Sequence, residues 1–413
     1  MVKVLDFTGK CVLGCALATA VIVPPGSASA SKFTVLHAFT GGPNDGQEPT
    51  GGVIEDNAGN FYGTTYSGGA KKNGIVFEIG ADGAETVLHI FKGGSDGSKP
   101  NGGLLADASG NLYGTTERGG GTGCTDVYGA GCGTIFRIAP DGKESILYSF
   151  GEGSLGAFPE ATLFEDAAGN LYGTAYQGGT YGFGSVFGLS PDGKLTVLHS
   201  FKGGGDGSNP DSGVIADAAG NLYGTTGAGG RRGLGTVFRI SPDGSKTKLH
   251  DFEGRPRDGA YPWQSLFLDS AGNLYGTTEN GGKYNESCGE SPGCGTIYKL
   301  STDGAETILY SFAGGLFGAD GAVPSSGLVM DAESNFYGVT FNGGPSAEGV
   351  LYKLAPDDSI TVLRVFDKLG LGANPLGSLV LDRSGAIFGT MSGGGEKDCK
   401  APGYCGVVYK FQP

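Results

Sequence analysis

Histidine is the side chain best suited to move protons near neutral pH, and this chain has four. His37, His89, His199 and His250 all stand two residues before a Phe, in V-L-H-x-F or the near copy Lys248-Leu249-His250-Asp251-Phe252. Tyr148, Tyr310 and Arg364 take that place elsewhere. A Ser-His-Asp or Cys-His nucleophile system needs one His at one centre. A position filled again and again describes packing or hydrogen bonding instead, and no His is left over. The carboxylates divide in the same way. Asp56, Asp107, Asp166, Asp217, Asp269, Asp331 and Asp382 recur before a Gly-rich turn, where an Asp side chain accepts from turn amides. Asp45, Asp96, Asp206, Asp258 and Asp320 each precede a Gly. These five could ring a calcium ion with carboxylate and carbonyl oxygens, although an Asp-Gly turn is the plainer reading. Glu48, Glu117, Glu160 and Glu279 do not recur in this way, so they are the candidates for paired-carboxylate chemistry of the glycosidase kind.

Two further groups stand out. Cys124 and Cys132, Cys288 and Cys294, and Cys399 and Cys405 form close pairs in three long Gly-rich loops. Each loop offers two thiols and no His, which is too few ligands for zinc. Three local disulfides are expected, each restraining a loop by roughly 2 to 3 kcal/mol in the chain-entropy model. Trp263, the only Trp, has Tyr261 beside it where most repeats carry small residues. The pair could stack on a sugar ring or enter a protein partner, or simply fill a gap. Tyr128, Tyr284 and Tyr404 in the cysteine loops extend this to a candidate aromatic rim, with Glu117 and Glu279 beside it.

What must position these residues is a repeat. G-N-[LF]-Y-G-T recurs with its Asn at 60, 111, 170, 221 and 273, followed by the weaker copies Ser334-Asn335-Phe336-Tyr337-Gly338-Val339 and Gly385-Ala386-Ile387-Phe388-Gly389-Thr390. A period of 40 to 60 residues signals a solenoid or a propeller. Gly, at 83 residues, and the lack of a 3.6-residue period exclude a helical solenoid. Each unit reads as four short strands, A to D; in one of them these are Gly213–Ala216, Leu222–Thr226, Thr236–Ile240 and Thr247–Phe252. Strands C and D are apolar on both faces, as stacked sheets require. The segment Phe33–Phe39 reads as a D strand with nothing before it, and Val407–Phe411 as a C strand with nothing after it. The two should share the last blade, closing a seven-bladed, all-β propeller with no free edge. The D–A and B–C connections then emerge on one face. The B–C connection, counted between its Gly-Gly and the Gly opening strand C, has four residues in blades one, three, four and six, but 12, 12 and 11 in blades two, five and seven. Only the long ones hold Cys.

G-N-L-Y-G-T-T followed by Gly-Gly, G-T-V-F-R-I and P-D-G-x-x-T-V-L-H-S-F together resemble the choice-of-anchor tandem repeat GloVer-containing proteins, over residues 33 to 411. The resemblance implies the repeat architecture and no particular activity. Those proteins often end in an anchoring segment; this chain ends at Phe411-Gln412-Pro413, from which release is expected. D-x-x-G-N-L-Y is more distantly similar to turns of NHL-type and streptogramin-lyase-type propellers.

A net charge of −14, from 42 acidic and 28 basic residues without a basic block, makes nucleic acid and anionic membrane poor partners. Lys3 and Lys10, an apolar run from Cys11 to Val23 and Ala28-Ser29-Ala30 read as a secretory signal peptide over residues 1–30. Residues 31–413 then form a single domain, secreted or periplasmic, with no membrane span and monomeric. A binding or scaffold role toward an extracellular carbohydrate or protein is favoured, without a cofactor unless calcium. A carboxylate enzyme acting on carbohydrate or ester near the central channel is the alternative, and a passive surface or matrix component the third.

Overall fold

In the computed structural model, the described residues are 31–413 apart from 127–128, 152, 154, 284–287, 289–292, 315–318, 368–371, 396–398 and 400–404. Seven antiparallel sheets follow one another along the chain, and no α-helix occurs among the described residues. Blade four is typical: Ile215–Ala216, Leu222–Thr226, Thr236–Ile240 and Lys246–Asp251 pair in sequence order. Strands B and C match the sequence reading. Strand A is shorter than expected, because its leading small residues pack on the next blade instead of a ladder: a Cβ on Gly51 would lie 2.5 Å from the Gly102 carbonyl oxygen.

The closure is as the sequence implies. Lys32–Ala38 pairs antiparallel with Val407–Gln412, so the N-terminal strand is the outer strand of blade seven. All-β architectures manage exposed edges by such closure.

The recurring letters now have physical reasons. The Phe ending each strand D is buried and meets the aromatic side chain of strand C in the next blade, at 5.1 Å between ring centroids for Phe39 and Phe77 and 5.2 Å for Phe252 and Tyr298. The Gly of each L-Y-G-T makes room for that strand C ring: a Cβ on Gly224 would come within 2.7 Å of Phe238. The next Thr reaches across the junction, with Thr225 Oγ1 donating to the Pro262 carbonyl at 2.6 Å and Thr64 Oγ1 to that of Gly102 at 3.0 Å. Apolar burial at about 25 cal/mol per Å² supplies most of the stabilisation, and these contacts fix the angle between blades.

Candidate functional site

The Asp before each A–B turn is structural in all seven blades. Asp217 accepts from the amides of Ala219 and Asn221, from Asn221 Nδ2 and from the Tyr223 hydroxyl, at 2.7–2.9 Å. Burial opposes the charge, yet these donors hold the carboxyl below its usual range. In the degenerate seventh copy the Asn and Tyr are replaced by Ala386 and Phe388, and the Ser384 hydroxyl donates to Asp382 instead.

The D–A and B–C connections do share a face: they hydrogen-bond to each other in every blade, as Gly259–Ala260 with Asn280–Gly281 and Ala373 with Gly393. Here the backbone adopts a conformation the sequence reading missed. Glu48, Lys99, Phe158, Asn209, Tyr261, Val323 and Asn374, each followed by Pro, all have φ between 55° and 60°. A non-Gly residue in this region costs about 1–3 kcal/mol and persists only where its surroundings hold it. The hold comes from both sides. The Tyr261 amide donates to the Leu234 carbonyl of the preceding blade at 2.8 Å, and its own carbonyl accepts from the Glu279 amide at 3.1 Å.

This strained residue and the one after the Pro vary freely around an otherwise regular ring. The second of these positions holds Thr50, Asn101, Glu160, Asp211, Trp263, Ser325 and Leu376, all lining one cavity of about 250 Å³ at the channel mouth. The slot after strand B, opposite the strained residue, holds Tyr66, Glu117, Tyr176, Gly227, Glu279, Phe341 and Ser392.

The variation is not scattered. Blades two to four place carboxyl groups together. Burial, reinforced by Asp211 and Glu117, pushes the Glu160 carboxyl well above the usual range; Asp211 beside it is raised by burial as well, and the two are hydrogen-bonded. Two carboxylates in contact cannot both ionise readily, so they share a proton. Both side chains line the cavity at the channel mouth, and burial is the larger cause of each shift. Glu117 is paired with the Arg118 guanidinium at 2.7 Å, and Arg118 lies over the Phe158 ring at 4.1 Å. Lys99 donates to Ser67 Oγ at 3.0 Å and lies over the Tyr66 ring at 4.6 Å.

Blades five to seven place apolar and aromatic groups instead. Tyr261, Trp263, Val323, Pro324, Phe341 and Leu376, with Glu279 at the margin, line a pocket of about 220 Å³. Trp263 is 44% exposed, with its ring centroid 6.2 Å from that of Tyr261. A Cβ on Gly227 would lie 2.4 Å from Trp263 Nε1, so the missing side chain in blade four makes room for the indole. Burial raises the Glu279 carboxyl, and the Asp211 charge adds to it.

Of the residues singled out from the sequence, Tyr261, Trp263 and Glu279 thus meet at the mouth, while Glu117 belongs to the carboxyl half. Tyr128, Tyr284 and Tyr404 lie outside the described residues. Asp45, Asp96, Asp206, Asp258 and Asp320 do not converge; each sits at its own blade junction beside the strand D residue. His37, His89, His199 and His250 approach Asp45, Asp96, Asp206 and Asp258 at 3.5, 3.3, 3.0 and 3.3 Å, and the Tyr310 hydroxyl donates to Asp320 at 3.0 Å. All three disulfides form within their loops, with Cα separations of 5.1, 5.4 and 5.8 Å. Asp211 is the residue the sequence reading missed; aligning the units on the strained X-Pro pair would have placed it beside Glu160.

Fold and site define a seven-bladed β-propeller whose regular ring carries an irregular axial mouth. The Gloeobacter/Verrucomicrobia repeat matches residues 25–130, 128–288 and 286–413, so the chain belongs to that repeat family. No curated protein matches it by sequence. Among solved structures, virginiamycin B lyase from Staphylococcus aureus is similar at a TM-score of 0.61 and 15% identity, covering 93% of this chain and 100% of that one. A streptogramin B lyase is similar at 0.57 and 13%, covering 92% and 97%. At such identity the likeness is one of fold.

Proposed function

We propose that this propeller is exported, its first 30 residues acting as a signal peptide, and that it binds an extracellular carbohydrate at the channel mouth. The observation that carries the reading is the meeting of two unlike half-rings. An aromatic pocket built on Tyr261, Trp263 and Phe341 faces the carboxyl groups of Glu160 and Asp211 across one opening. Sugars present an apolar C–H face and a hydroxyl edge, and a site with aromatic walls and a few fixed polar groups suits both. The strained backbone beneath the mouth supports the reading too, since strain of this kind concentrates at ligand sites.

The Glu160 and Asp211 pair by itself does not have the carboxyl geometry of a glycosidase. Glu160 and Asp211 are in hydrogen-bond contact, whereas the two carboxyls of glycosidases stand about 5 to 10 Å apart around the scissile bond. The three disulfides agree with an oxidising compartment, and no helix among the described residues is long and apolar enough to cross a membrane.

A melting-temperature screen against neutral, acidic and amino-sugar oligosaccharides tests the proposal. A ligand at a hundred times its Kd stabilises the folded state by about 2.7 kcal/mol, and at least one sugar class should raise the midpoint. No response to any class would reject a carbohydrate ligand, and release of shortened sugars would establish an enzyme.

A further inference from the structure

Away from the mouth, five blade junctions bring together three positions: the strand D residue of one blade, the Asp of the D–A connection, and the residue opening strand D of the next blade. At three junctions these are His37–Asp45–Glu85, His89–Asp96–Glu144 and His250–Asp258–Glu306, with one ligand atom from each residue all within 4.8 Å of one another. We propose that each set binds a zinc ion that staples neighbouring blades.

The separations from His fit ligands that share one metal ion. His37 Nε2 lies 3.5 Å from Asp45 Oδ1 and 3.6 Å from Glu85 Oε2; His250 Nε2 lies 3.3 Å from Asp258 Oδ2 and 3.7 Å from Glu306 Oε1. Two ligands at 2.0–2.1 Å from a tetrahedral zinc stand about 3.3–3.5 Å apart, whereas a charge-assisted hydrogen bond closes to about 2.7–2.9 Å. The fourth His junction supplies the contrast. There Lys246 stands in place of the Glu, its Nζ 2.7 Å from Asp206 Oδ1, and His199 draws in to 3.0 Å from Asp206. An ammonium occupies the space that a cation would fill at the other three.

The remaining junctions change as a set. Where His is replaced, the Glu is replaced as well: Tyr148 comes with Leu195, Tyr310 with Ile360, and Arg364 lies over Phe33 at 5.2 Å. In the three complete sets, Oε1 of Glu85, Glu144 and Glu306 is buried and meets no N–H or O–H donor, and each Glu carboxyl contacts the Asp carboxyl of its set, so two acid groups lie side by side where a cation would neutralise them. An imidazole nitrogen with two carboxylate oxygens selects zinc over calcium, which takes six to eight oxygens. Three protein ligands leave a fourth position for water. A crevice of about 540 Å³ beside His250 and Glu306 gives an ion a way in. The His37 set matters most to the ring, because it joins the N-terminal strand of blade seven to blade one.

The test uses untagged protein, stripped with a chelator, dialysed against zinc or calcium chloride and analysed for bound metal by mass spectrometry, with the melting midpoint recorded. Three equivalents of zinc, no calcium and a higher midpoint with zinc are expected. Glu306→Gln should retain two equivalents, and its metal-free midpoint should match that of the metal-free parent, which shows the variant folds. Zinc at background level, or three equivalents still bound by the combined Glu85→Gln, Glu144→Gln and Glu306→Gln variant, would overturn the proposal.

Discussion

The A–B turns and the channel mouth both use carboxylates, and they use them in opposite ways. At the turns one Asp carboxylate collects several donors and is held below its ordinary pKa, in every blade alike. At the mouth Glu160 and Asp211 have each other and a buried position, and both are raised. The first arrangement stabilises the ring; the second sets stability aside at one place where the repeat is broken. In a closed array of near-identical units, a side chain present in every unit serves the array, and a cluster confined to two or three units is free to serve something else.

Removing a turn carboxylate should give the largest effect on folding. Asp217→Ala strands four donors and should destabilise the protein by about 2–3 kcal/mol in urea unfolding, while a mouth variant such as Trp263→Ala should fall within about 0.5 kcal/mol of the parent. Next comes the loop cross-link: replacing Cys288 and Cys294 by Ser opens a loop of sequence separation 6, for a loss of about 2 kcal/mol visible as a lower melting midpoint. The smallest effect is the most diagnostic. The turn carboxyls are depressed, so their stabilisation is present above the ordinary Asp value of 3.8 and is lost as pH falls through the lower folded value. Glu160 is raised, so the folded state binds more protons than the unfolded one, and stability declines as pH rises above 4.5. Glu160→Gln should make that decline shallower, the remainder coming from the raised Glu85, Glu144 and Glu306 carboxyls, and leave the acid limb untouched, as read from melting midpoints between pH 4 and 9.

The regular part of the molecule was legible in the sequence because each of its contacts is repeated. The L-Y-G-T motif, the turn Asp, the terminal Phe and the shared last blade are visible as recurring letters, and the cysteine loops follow from length and spacing. The mouth was legible only in part. Tyr261, Trp263, Glu117 and Glu279 stood out as departures from the repeat, but the left-handed residue before each Pro was not visible, because a non-Gly residue held at positive φ by neighbouring strands carries no composition signal. Without that register nothing in the sequence marks Asp211. The His and Asp of each junction recur at separate places in the repeat, and only the packing of adjacent blades brings them together with a Glu some 40 to 56 residues away in the chain.

Trp263 is the only Trp in the protein and lines both cavities of the mouth, so intrinsic tryptophan fluorescence reads this site and no other. The measurement is a fluorescence titration with the oligosaccharide classes used for melting. The account predicts a saturable change in intensity or emission maximum with the class that stabilises the protein, and at least tenfold weaker affinity in Tyr261→Ala. A sugar that stabilises the protein while leaving the Trp263 emission unchanged would contradict it and move the ligand site away from the mouth.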